Sequence, residues 1–163
     1  MKKPASLRAA IARLLPEVER DYDKLAMWVE KGSVRGRLGN NHGFAWSYDL
    51  TVLATGYTDD PTVLFFVVTE WLRDQQPDLL APGAAPIPFE VDINSATSWD
   101  VTITLRLEEF VEALPGTRPG EWQLQVKDQP VPLDPDSVPF AAPPVPVASI
   151  WAHGVQIAPA PVD

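Results

Sequence analysis

The chain contains no cysteine. That excludes disulfides, thiolate metal sites and a cysteine nucleophile. It is compatible with a reducing compartment. Histidine is scarce as well, with only His42 and His153 present. His42 falls in "GNNHG" and His153 beside Gly154, so both read as loop residues. Positive charge is in deficit: 13 Lys and Arg against 22 Asp and Glu leave a formal net charge of −9. A surface that neutralises many phosphates needs the opposite balance, so an extended nucleic-acid interface is not expected. The longest uninterrupted apolar run, Val63–Val68, is far too short to cross a bilayer. Arg8 and Arg13 interrupt the apolar part of the N-terminal segment, which therefore does not read as a signal peptide. No G-x-S-x-G elbow occurs. "GSVRGRLG" lacks the Lys-Ser/Thr ending and following helix of a phosphate loop.

What the chain does have is apolar mass and proline. Its 163 residues are 45% hydrophobic, enough for one body with a core. Nine of the 18 prolines lie from Pro130 onward. The expected organisation is an α+β body over 1–128, a Pro-rich linker over 129–147 and a C-terminal hairpin arm over 148–163. Prolines recurring every few residues prevent a persistent helix and disfavour a central strand. After them, "SIWAHGVQI" reads as two short apolar strands around a two-residue turn at His153-Gly154.

Periodicity sets out the body. Leu7, Ala10, Ile11, Leu14 and Leu15 form a helical stripe that opens near Pro4 and ends before Pro16. From Lys24 to Leu38, Leu25, Met27 and Val29 alternate, and Gly32-Ser33 reads as a turn. Phe44, Trp46, Tyr48, Leu50, Val52 and Ala54 share one face of a long strand. Asp59 or Asp60 caps a second helix that opens at Pro61 and stops before Pro77. Its apolar face is Val63, Leu64, Val67, Val68, Trp71 and Leu72, wide enough to cover a sheet. Further strands are predicted over Phe89–Ile93, Trp99–Glu108 and Glu121–Lys127. The fold class is thus α+β: a twisted, mostly antiparallel sheet covered by two helices, followed by the Pro-rich arm and its short hairpin.

Three groups of residues invite a chemical reading. Asp92, Asn94 and Asp100 resemble the start of a calcium loop, but the sixth position of an EF-hand template is Thr97 where Gly is needed, and the twelfth is Ile103. A turn between strands explains Asn94, Ser95 and Ser98 better, so no metal site and no cofactor are expected. Glu108, Glu109 and Glu112 resemble paired carboxylates, but read more simply as a solvated strand end. Lys31, Arg35 and Arg37 form the one basic cluster of an acidic chain. They are candidate contacts to an acidic protein surface or to passing DNA, with a solvated hairpin tip as the plain alternative. Ile150, Trp151, Val155 and Ile157 are candidate contacts of the arm.

The blocks "PASLRAAI", "MWVEKGSV", "FAWSYDLTVLATGYTDD", "TEWLRDQQPDLL" and "FEVDINSATSWDVTITLRLEE" occur in an order and at spacings that resemble the GpR-type tail completion proteins of contractile-tailed temperate phages. "WLRDQQPDLL" and "DIN…DVTITLRLEE" are the most specific. The resemblance covers residues 4 to about 112 and does not extend through the Pro-rich stretch. It implies a structural protein without enzymatic activity or cofactor. Such a protein forms a ring, a hexamer by analogy, on the last ring of tail tube and sheath, stops polymerisation and faces a head–tail neck protein. DNA would only pass through it, and no membrane is involved. The equivalent part of an R-type phage-tail-like bacteriocin would be its collar. Its place would be a virion tail, or a tail-like particle, assembled in the bacterial cytoplasm. Two other readings are a monomeric tail-assembly adaptor and a small hydrolase using Glu108, Glu109 and a histidine.

Overall fold

A computed structural model describes residues 1–15, 20–36, 42–127, 150–152 and 155–158. The linker read over 129–147, Arg37 and the turn at His153-Gly154 lie outside the described residues.

The chain begins with helix α1 (Lys3–Leu14), which buries Leu7, Ile11 and Leu14. Strand β1 (Leu25–Gly36) follows a short 3₁₀ turn at Tyr22–Lys24 and pairs antiparallel with β2 (Phe44–Tyr57). Helix α2 (Pro61–Gln75) comes next, then a 3₁₀ turn at Pro77–Leu80. Strands β3 (Phe89–Ser95), β4 (Ser98–Pro115) and β5 (Trp122–Lys127) complete the body. The sheet order is β1-β2-β4-β3, all antiparallel, with β5 pairing the C-terminal half of β4. Strands β6 (Ile150–Ala152) and β7 (Val155–Ala158) pair with each other as a separate antiparallel ribbon.

Both helices lie on one face of the sheet. The core is built from the inward residues Tyr48, Leu50, Val52 and Ala54 of β2 and Val101, Ile103, Leu105 and Leu107 of β4, against the helix stripes. All six apolar residues predicted for α2 are buried. Its cap is Asp60, whose Oδ1 accepts from Thr62 N at 2.8 Å. Those Thr62 hydrogen bonds hold the Asp60 carboxyl below its ordinary range.

Three details correct the sequence reading and a fourth adds to it. Gly32-Ser33 is not a turn: β1 runs through it without a break, its only irregularity lying between Val29 and Lys31. Gly32 serves close approach instead. A Cβ there would stand 3.2 Å from the Ser47 carbonyl oxygen and 3.3 Å from Tyr48 Cβ. The turn between β3 and β4 is Ala96-Thr97, with Ser95 opposite Ser98, so Asn94 belongs to a strand. β4 continues seven residues beyond Glu108, because β5 pairs with Phe110–Pro115. Finally, the β2–β4 register slips between Ala54 and Tyr57. Gly56 takes a positive φ of 58° there, and its N–H donates to Asp100 Oδ1 at 2.7 Å. This is bulge chemistry.

Between its two short partners, β4 has no strand alongside on that edge among the described residues. Other groups satisfy its amides: Thr104 N donates to the Pro88 carbonyl at 3.1 Å, and Glu108 N to Gln76 Oε1 at 3.0 Å. A buried amide left without an acceptor is costly. Gln76, only 1% exposed, therefore stands in for a missing strand carbonyl.

Candidate functional site

The most chemically loaded place in the body is a buried polar knot where α1, α2, β2 and β4 meet. Glu109 is 1% exposed. Its Oε2 accepts from the backbone N–H of Lys2 at 2.9 Å, and its Oε1 accepts a short hydrogen bond from Tyr48 Oη. Gln76 Oε1 also accepts from Lys3 Nζ at 2.5 Å, while Gln76 Nε2 donates to Asp78 Oδ1 at 2.5 Å. Helix α1 has no side-chain cap and no acid of its own in its first turn. The Glu109 carboxylate supplies both functions from a distant strand: it takes an orphan amide and places negative charge at the positive end of the helix.

This arrangement holds elements together, with Glu109 and Gln76 shut away from solvent. The reading of Glu108, Glu109 and Glu112 as one solvated edge is corrected here. Successive strand residues face opposite ways, so Glu109 points into the core while Glu108 and Glu112 face outward. Glu112 pairs with Lys127 at 2.7 Å. Glu108 and Glu109 therefore cannot act on one substrate from the same side. The alternation Trp99-Val101-Ile103-Leu105-Leu107 was the available signal, since Glu109 is its next member.

Tyr48 reports on the knot. Burial, then the hydrogen bond from its phenol to Glu109 and the charge of that carboxylate, raise its pKa above the ordinary 10.0. The folded protein thus holds this proton more tightly than the unfolded chain. The resulting stability is complete below about pH 10 and declines as pH rises beyond it. We expect phenolate absorbance to show no Tyr48 ionisation where free tyrosine titrates. A Tyr48→Phe difference titration with a full tyrosine step near the ordinary value would contradict this.

Two of the three calcium-like residues, Asn94 and Asp100, are engaged in protein contacts. Asp100 Oδ1 accepts from Asn94 Nδ2 at 2.8 Å as well as from Gly56 N. Among the described residues, no group of three or more potential metal-ligating His, Asp or Glu side chains converges.

The predicted contact residues are brought together only in part. Lys31 and Arg35 both lie on β1, opposite Asp49 and Ala45, with their side chains exposed on the sheet face away from the helices. They line an edge strand and do not form a hairpin tip, because the strand passes through Gly32-Ser33. The pairing of β1 with β2 continues to Gly36 opposite Phe44. Ile150, Trp151, Val155 and Ile157 are in β6 and β7. A feature not anticipated is the exposed apolar rim: Val34 on β1, Phe89 and Ile93 on β3, and Trp122 and Leu124 on β5 are 45–75% exposed. The outward-facing helix residue Phe66 is also exposed.

The family model for P2 phage tail completion protein R (GpR) matches residues 1–130. Tail completion protein R of Escherichia phage P2 is 34% identical over 112 residues, covering 67% of this chain and 72% of that protein. No solved structure matches the chain at a significant level. The matched region contains both helices and all five strands of the body, together with the knot that joins them; the chain belongs to the phage tail completion protein R (GpR) family.

Proposed function

We propose that this protein completes a contractile phage tail, forming a ring on the head-proximal end of the tube and sheath that stops their polymerisation. The observation that carries the reading is family membership across the whole body. The fold supports it. A single sheet with helices on one face has two unlike edges, and a closed ring needs two different surfaces that fit each other head to tail. Six is the ring number the family resemblance suggests. Tube, sheath and head–tail neck proteins are the proposed partners. Lys31, Arg35 and Arg37 belong to the contact surface, and DNA passes through only where a head attaches.

The arm adds a second contact. A Pro-rich spacer extends about 3 Å per residue, so one of this length and composition has a reach of roughly 50 Å. The hairpin with Ile150, Trp151, Val155 and Ile157 then docks on the adjacent subunit or on the last sheath ring by adding strand to sheet edge. Deleting residues 148–163 tests this. The truncated body is expected to keep its melting temperature while its binding to tail ends weakens. Unfolding of the body on deletion would assign the arm to its own core. The ring itself is tested by electron microscopy of tails assembled with and without the protein. Overlong tails in its absence and a cap of several copies in its presence are expected; a single copy at the tail end would sink the proposal.

A further inference from the structure

The two ends of the sheet carry opposite charge. β1 is one terminal strand and β3 the other. Beyond its bulge, β1 runs regularly from Lys31 to Gly36 with every residue exposed, and its charged residues are Lys31 and Arg35. β3 is exposed along nearly all its length, and its charged residues are Glu90 and Asp92. Among the described residues, none of these four charges forms an ion pair. Charges of one sign on both edges would keep copies apart. Opposite signs favour joining an edge of one copy to the other edge of the next.

Strand direction agrees. From β1 to β2, to β4, to β3, each step is antiparallel, so β1 and β3 run in opposite senses. A second copy turned about the ring axis keeps the sense of its strands. Its β1 therefore meets β3 of the first copy antiparallel, as the rest of the sheet is built. Arg35 is level with Phe110 of β4 and Glu90 with Thr102, so the register proposed below sets the strands oblique to that axis, as in a closed barrel.

Faces agree as well. Residues opposite each other in the β1–β2–β4–β3 registers share a face, which places Lys31 and Arg35 on the same side of the sheet as Glu90 and Asp92. With Arg35 opposite Glu90, alternation sets Val34 opposite Val91, and Lys31 falls diagonal to Asp92. Diagonal neighbours are about 7–8 Å apart, within reach of long side chains. Val34, 70% exposed, then packs beside Phe89, 58% exposed.

From this we propose that β1 of one subunit pairs antiparallel with β3 of its neighbour, in the register that sets Arg35 opposite Glu90, so that the sheet continues around the ring. This rests on the ring reading and identifies its subunit interface. β5 is the weaker candidate for the same partner, because its charged residue Lys127 has the same sign as the β1 edge.

The chain has no native cysteine, so an engineered pair reports cleanly. Ser33 and Asp92 stand opposite in the proposed register. Within one subunit they are separated by two intervening strands and by eight residues along the sheet, about 30 Å at the usual spacings, too far for a disulfide. Mild oxidation of a chain carrying both Ser33→Cys and Asp92→Cys is expected to give a covalent ladder beyond the dimer, with each single variant stopping at the dimer. In parallel, Arg35→Glu should weaken self-association about tenfold by light scattering, and Glu90→Arg in the same chain should restore it. Wild-type assembly without a ladder, or without charge-swap recovery, overturns this interface and leaves the ring standing. Wild-type protein that stays monomeric both in solution and on tail ends overturns both.

Discussion

Trp71→Ala is expected to lower the unfolding free energy by about 3–5 kcal/mol, the usual cost of truncating a large buried aromatic. Trp71 is 7% exposed and projects from α2 into the core beneath α1, where its Nε1 donates to Ser6 Oγ at 3.1 Å. Truncation removes apolar area and leaves a void that close-packed neighbours fill only partly. It also strands the Ser6 hydroxyl. Trp71→Phe keeps most of the ring and loses the N–H, so its cost should be about 1–2 kcal/mol, combining a modest volume loss with one hydrogen bond. Urea midpoints at unchanged m separate the two variants. A loss under about 1 kcal/mol for the alanine variant would place that face of α2 in solvent.

Glu109→Ala is expected to cost about 2–4 kcal/mol, because it leaves two donors, Tyr48 Oη and the Lys2 N–H, without their acceptor. Relief from burying a carboxylate offsets part of this. The effect should be local in one respect. Amide exchange in the first turn of α1 should rise more than exchange in α2, since the helix loses its only described anionic cap. Glu109→Gln retains a carbonyl acceptor and should lose about half as much. Equal protection of the α1 first turn in the alanine variant and the parent would mean that water caps the helix and that the knot contributes little.

These two residues illustrate how far the sequence reaches. Trp71 is legible from spacing alone, because a helix repeats every 3.6 residues and its buried stripe is visible within a single segment. The α+β class, both helices, the core faces of β2 and β4 and the Asp60 cap were legible for the same reason: each depends on neighbours within a few positions. Family membership was legible too, through blocks whose order and spacing are properties of the chain itself.

Other features depend on partners remote in sequence. Glu109 meets Lys2 and Tyr48 across 107 and 61 positions, and Gln76 meets Glu108 across 32. A carboxylate next in line on an apolar face looks like a strand end until those donors are known, since an unpaired charge would not be buried. Gly32 looks like a turn until Tyr48 and the Ser47 carbonyl are seen to crowd the space where its Cβ would be. Local sequence therefore determined the elements and their inward faces, because periodicity is a short-range property. Tertiary structure alone decided which polar groups are buried, where β4 ends and which strands are left as edges, because each is set by whether another part of the chain arrives to complete its hydrogen bonds.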